Sequence, residues 1–153
     1  MQIVSNTSPL IFLSKLGALD LLPLCFDGIS IPQAVQEELG EFTLPAFVNR
    51  VSISPFGSRL VDGMIGNLHR GELEVMVLAQ ESRADLVLLD DLAARNKAKR
   101  RFGLKIMGTV GVVQLAYAKG HLSRQQAHDY YDELVLQHGL YLSPEILQHL
   151  KSL

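Results

Sequence analysis

Tryptophan is absent from this 153-residue chain, and cysteine occurs once. The lone thiol, Cys25, excludes an internal disulfide and suits a reducing compartment. No apolar run approaches the length of a membrane span, which excludes a bilayer-crossing helix. The start lacks the basic region and cleavage site of a signal peptide. The expectation is a cytoplasmic protein with no membrane partner. Neither sign of charge dominates. The formal net charge of −2 argues neither for nor against nucleic acid, because local patches matter more than the total. The five histidines, His69, His121, His128, His138 and His149, show no metal-ligand spacing. What is present is enough apolar material for a core: 48% of residues are hydrophobic and 20% charged. The length suggests one domain, residues 1–153.

Along the chain, short apolar runs alternate with helical patterns. Ile3-Val4 reads as a strand, with Ser8 as a helix N-cap and Pro9 as the first helical residue. That helix reaches Leu16, and Gly17 stops it. Gly28-Ile29-Ser30-Ile31 is a second strand, followed by a helix over residues 33–39 with Gly40 at its end. Val51-Ser52-Ile53 alternates like a strand, and residues 55–69 look like loop because of Gly57, Gly63 and Gly66. A helix follows from about Gly71 to Ser82. Asp85-Leu86-Val87-Leu88-Leu89 is a continuous apolar strand, as a central parallel strand should be. A helix from the Asp90-Asp91 pair to Phe102 stops at Gly103. Lys105-Ile106-Met107 is a last short strand, and a helix over 110–119 ends at Gly120. Ser123-x-x-Gln126 is a capping box, and Ser143-Pro144 opens a final helix. This alternation predicts a parallel sheet covered on both faces, with all strand C-termini at one edge.

Polar residues gather at that edge beyond what packing demands. Asn6 follows the first strand, Glu37 and Glu38 end the helix after the second, Glu72 and Glu74 open the helix before the central strand, and Asp90 and Asp91 follow that strand. Each has an ordinary explanation: Glu72 complements a helix dipole, and one of the two aspartates caps a helix. Together, several carboxylates at one place are unfavourable unless a hard cation such as Mg²⁺ or Mn²⁺ shares them. Such an ion can lower the pKa of water and stabilise charge on a phosphoryl group.

Four blocks carry a family likeness: Val4-Ser5-Asn6-Thr7-Ser8-Pro9-Leu10-Ile11; Ile31-Pro32-x-x-Val35-x-x-Glu38; Gly71-Glu72-x-Glu74 leading to Leu78-Ala79; and Leu88-Leu89-Asp90-Asp91-x-x-Ala94-Arg95. Gly108-Thr109-Val110-Gly111-Val112 extends them. In this order they resemble the PIN domain, and within it the small prokaryotic toxin-type ribonucleases whose start reads like S-D-T-S-P-L-I. The likeness spans about residues 2–120, with 121–153 as a helical C-terminal extension. It implies a three-layer α/β/α sandwich around a mainly parallel sheet. It also implies a metal-dependent endoribonuclease, the toxin of a type II toxin–antitoxin pair, using Mg²⁺ or Mn²⁺. A cognate antitoxin and a homodimer are the implied protein partners, and RNA the substrate.

Carried over by position, the metal set is Glu38, Glu72 and either Asp90 or Asp91, with Glu74 a weaker candidate. The first-strand position, ordinarily aspartate, holds Asn6. An amide oxygen can ligate a cation but brings no charge, so this departure implies weak metal binding and weakened cleavage. The alternative is a catalytically inactive module of the same fold that binds RNA or protein. The hydroxyls of Thr7 and Ser8 are placed to hold water or phosphate.

Six of the 14 Lys and Arg lie between residues 95 and 105: Arg95, Lys97, Lys99, Arg100, Arg101 and Lys105. Ala94, Ala98 and Phe102 recur every four residues and should face the sheet, leaving the basic residues on the outer faces. These suit a solvated surface or an RNA backbone, with Arg95 and Lys99 as the phosphate contacts. Tyr117, Tyr130, Tyr131 and Tyr141 could line a dimer or partner groove, with core or boundary packing as the default expectation. A phosphoacceptor receiver domain needs an acidic pair after the first strand and a lysine after the last; Ser5-Asn6 and Gly108-Thr109 stand there instead.

Overall fold

The computed structural model describes residues 1–66 and 68–153. Five short apolar stretches form its sheet: β1 (Gln2–Ser5), β2 (Gly28–Ile31), β3 (Val48–Arg50), β4 (Leu86–Leu88) and β5 (Ile106–Met107). Their order is β3-β2-β1-β4-β5, and every pairing is parallel. β1 is therefore central. The chain builds outward from it to β3 on one side, then returns to lay β4 and β5 on the other. The ends of β1 and β4 flank this reversal of direction, where open α/β sheets form a crevice.

The helices are α1 (Thr7–Lys15), α2 (Leu21–Cys25), α3 (Gln33–Leu39), α4 (Pro55–Met64), α5 (Arg70–Glu81), α6 (Leu92–Phe102), α7 (Thr109–Ala118), α8 (Arg124–Leu136) and α9 (Pro144–Ser152). α5 packs against α3, α4 and α6, whereas α7 packs against α2 and α8, and α1 touches both α3 and α7. The result is an α/β/α arrangement with a helical C-terminal tail. Ile3, Val4, Ile29, Val87 and Leu88 are buried between the layers, as are Leu73, Val75, Met76 and Val77 of α5. No helix among the described residues is long and apolar enough to cross a membrane.

Glycine stop signals hold: Gly17, Gly40, Gly103 and Gly120 all have positive φ, which other residues adopt only at a cost. Ala94 and Ala98 are buried and Phe102 packs against the core, so α6 turns its basic residues outward. The Ser123 capping box and the Ser143 cap are both formed.

Four boundaries differ from the sequence reading. Asn6, not Ser8, is the N-cap of α1, with extended backbone, and Pro9 falls at the third helical position. Proline is tolerated there because the first four N–H groups of a helix have no partner within it. The same rule admits Pro23 into α2, a one-turn helix that carries no cap signal in the sequence. The third strand is Val48–Arg50 rather than 51–53; only the Val51 N–H continues the ladder, to the Ile31 carbonyl. Most of the expected loop over 55–69 is α4. Ser54 caps it by accepting from the Gly57 N–H at 2.9 Å, and Pro55 opens it. Gly57 marks a close approach to Val77 and Glu81 of α5 rather than a flexible link. Asn67, in the same stretch, lies outside the described residues.

Candidate active site

β1 ends at Ser5, and its direction carries Asn6 to the crevice beside β4. The Asn6 N–H donates to the Leu88 carbonyl at 3.0 Å, tying the two strand ends together. The Asn6 side chain is 6% exposed. Its Oδ1 has no hydrogen-bond partner, and it is the one buried side-chain nitrogen or oxygen in that condition among the described residues. Buried polar atoms are nearly always paired, so an unpaired one calls for an explanation.

Three carboxylates stand at the ends of α3, α5 and α6. Glu38, in the last turn of α3, accepts the Thr7 hydroxyl at 2.9 Å. Its carboxylate lies so close to Gly71 that a Cβ there would collide with Oε1, so the glycine at the start of α5 makes room for it. Glu72, one residue on, accepts the His69 N–H at 3.2 Å and closes a capping box on α5. Burial raises the Glu72 pKa, the His69 N–H lowers it, and the charges of Asp91 and Glu38 raise it further. Those last two effects place Glu72 within electrostatic reach of both Asp91 and Glu38. Asp91 is the N-cap of α6, one of its oxygens accepting the Ala94 N–H at 2.9 Å.

Asp90 and Asp91, equivalent by spacing in the sequence, are distinct here. Both oxygens of Asp90 accept from Thr109, one from the N–H and one from the hydroxyl, each at 2.7 Å. Burial raises its pKa, opposed by these two hydrogen bonds and by the Arg95 charge. Asp90 thus anchors the start of α7 to the end of β4, whereas Asp91 faces Glu72. Glu74 also points elsewhere: it is 7% exposed and accepts the Ala34 N–H at 3.2 Å and Arg70 at 3.3 Å, satisfying the first turn of α3. Glu37 is exposed and holds only Gln33 of its own helix.

Of the hydroxyls beside Asn6, that of Thr7 has its proton committed to Glu38, while Ser8 lines a cleft of about 390 Å³ with Asp90 and Asp91. Arg95 lies beside Asp90, and Lys99 is exposed one turn farther along α6, away from the acids. Tyrosine placement needs one correction. Tyr131 is buried as expected, but Tyr141, in the loop after Gly139, is 88% exposed and lines the same cleft. The sequence reading missed Thr109, His69 and Gly71 as supports of the acids. The glycine directly before Glu72 was the available signal, since a carboxylate can approach a backbone only where no Cβ intervenes.

Among the described residues, no three carboxyl, imidazole or thiol groups converge closely enough to enclose an ion by themselves. The donors nevertheless match a hard cation in kind. They are oxygens only: three are carboxylates, with Glu72 repelled by the other two, and the fourth is a buried amide oxygen lacking any donor.

A sequence profile of the family described as the PIN domain matches residues 2–153 of the chain. No curated protein matches it. PIN domains are a nuclease fold and generally depend on divalent metal ions, which agrees with an all-oxygen site at the reversal point of a parallel sheet. The match runs over nearly the whole chain, and the chain belongs to the PIN-domain family.

Proposed function

We propose that this chain is a single-domain, metal-dependent endoribonuclease of the toxin type, within the subgroup that opens S-(D/N)-T-S-P-L-I. The observation that carries this reading is the buried, partnerless Asn6 Oδ1, one residue before the Thr7 that holds Glu38, with Glu72 in electrostatic reach of Glu38 and Asp91. Glu38, Glu72 and Asp91, with the Asn6 oxygen, would hold one Mg²⁺ or Mn²⁺. When bound, the ion supplies Lewis-acid stabilisation of charge on the phosphoryl group and lowers the pKa of the attacking water.

The chain's own residues do the rest. Thr7 and the Gly71 backbone fix the Glu38 carboxylate, and the His69 N–H fixes that of Glu72. Asp90 and Thr109 lock α7 to β4, which sets the floor of the cleft. Arg95 and Lys99 take RNA phosphates, giving salt-sensitive affinity without base choice. A cognate antitoxin, a homodimer and a cytoplasmic setting accompany this reading. Because Asn6 is neutral, affinity for the ion is low, and a second reading follows from the same residue: an inactive PIN module that keeps RNA or protein binding.

Cleavage of a structured RNA with Mn²⁺, with EDTA as control, decides between them. Metal-dependent cleavage is expected, slow in the natural chain and faster in Asn6→Asp. Glu72→Gln and Asp91→Asn should each lose about 10³-fold, the value of several kcal/mol of transition-state stabilisation. RNA binding without cleavage in both the natural chain and Asn6→Asp selects the inactive module. Equal metal affinity and equal cleavage in those two proteins removes the role given to Asn6.

A further inference from the structure

Large apolar side chains left in water mark contact sites when they cluster beside a cleft. Tyr141 is 88% exposed, Leu92 70% and Ile146 51%. They come from distant parts of the chain: Leu92 from the first turn of α6, Tyr141 from the loop between α8 and α9, and Ile146 from α9. Tyr141 and Leu92 line the cleft of about 390 Å³ that holds Asp90 and Asp91. All three line an adjoining cleft of about 200 Å³ with Arg95 and Ser143.

Resting on the nuclease reading above, we propose that this cleft seats one unpaired nucleobase of the RNA, stacked on Tyr141 against Leu92, next to the scissile phosphate. The charge pattern selects this occupant. Tyr141 and Leu92 give a neutral ring apolar faces, its N–H groups can donate to the carboxylate edge of Asp90 and Asp91, and with no ion present those acids repel a phosphate set among them. From Leu92 the same row of α6 continues through Arg95 to Lys99, at the i, i+3 and i+7 positions, and no acidic residue occurs from Leu92 to Phe102. An apolar platform thus adjoins a cationic row, the pairing that single-stranded nucleic acid requires: ring on aromatic, backbone on cations.

The test uses short single-stranded RNA and an abasic oligomer of the same length, in EDTA so that cleavage does not intervene. For the natural chain, the abasic oligomer should bind at least fivefold more weakly. Tyr141→Ala should lower RNA affinity by about 5- to 150-fold, the range for loss of one stacked base, while leaving abasic affinity unchanged. Tyr141→Phe should restore RNA affinity, because it keeps the ring. The chain has no tryptophan, so tyrosine emission is observable directly. RNA should quench it in the natural chain and the abasic oligomer should not, and the quenching should be lost in Tyr141→Phe. If Tyr141→Ala binds RNA like the natural chain, or abasic and natural oligomers bind equally, the stacking site is overturned while the nuclease reading stands. Unchanged RNA affinity with lost self-association in Tyr141→Ala would assign the patch to a protein contact and also overturns it. Failure of the natural chain to bind any oligomer in EDTA also overturns the stacking site, whereas the nuclease reading is decided separately by cleavage with Mn²⁺.

Discussion

Glu72 and Glu74 leave the first turns of α5 two residues apart, and their surroundings are opposites. Glu74 is nearly enclosed, yet the Ala34 N–H and Arg70 satisfy its carboxylate. It joins α5 to α3, and nothing about it calls for a ligand. Glu72 is more open, has one backbone donor, and faces the charges of Asp91 and Glu38. Depth therefore does not separate the structural acid from the candidate ligand. What separates them is whether the fold supplies the partners. The Asp90–Asp91 pair repeats the lesson: Thr109 satisfies both oxygens of the first, while the second accepts one backbone N–H, from Ala94, and lies within electrostatic reach of Glu72.

The largest effect on stability should come from the satisfied member. Glu74→Ala strips the Ala34 N–H of its acceptor and Arg70 of a partner, and an unsatisfied buried group costs about 1–3 kcal/mol. For a chain of this size the melting temperature should fall by about 2–4 °C for each kcal/mol. Metal-ion binding by the folded variant, followed by calorimetry, should be unchanged. If Glu74→Ala melts like the natural chain, the distinction between the two glutamates fails on its structural side.

The next test acts on the open side. Gly71→Ala places a methyl group against the Glu38 carboxylate. The obstructing atoms are the end of a flexible side chain, so the fold should tolerate the change with little loss of melting temperature. Glu38, however, must leave its place beside Glu72. Disturbing the supports of metal ligands typically lowers affinity about 10–100-fold, and a loss in that range is expected for Mn²⁺. A large drop in melting temperature with unchanged Mn²⁺ affinity would make Gly71 a packing residue only.

The sequence made the sheet and the acidic edge legible for different reasons. β4 announces itself because a strand buried on both faces must be continuously apolar, and Gly40 and Gly103 announce helix ends because their positive φ excludes most other residues. Asn6, Glu38, Glu72 and the Asp90–Asp91 pair stood out as candidates because polar residues gathered at the edge of a sheet have few packing reasons to be there. The partners of each acid were not legible. Spacing along one segment cannot tell that Thr109 reaches Asp90 across 19 residues, or that the Ala34 N–H takes Glu74 across 40. The exposure of Tyr141 was hidden for the same reason, since burial is decided by distant elements and tyrosine suits either side of a surface. α4 was misread because glycine permits both a loop and a close helix contact.

The smallest effect is the pH dependence of Glu72, and its sign is opposite to that of a well-paired acid. Burial first, and the charges of Asp91 and Glu38 in addition, raise its folded-state pKa above the ordinary glutamate value. The folded chain then holds this proton to higher pH than the unfolded chain does. Stability is lost as pH rises from the ordinary glutamate value through the raised one. Glu72→Gln keeps an acceptor for the His69 N–H, because glutamine also serves at this position of a capping box. It removes the charge, so it should melt above the natural chain at pH 7, with the difference shrinking to nothing below the ordinary glutamate range. Saturating Mn²⁺ should erase or reverse the difference, because the ion stabilises only the chain that retains the carboxylate. A well-paired acid predicts the reverse at pH 7, with the glutamine variant the less stable. That result would place Glu72 beside Glu74, as a second carboxylate whose partners the fold already provides.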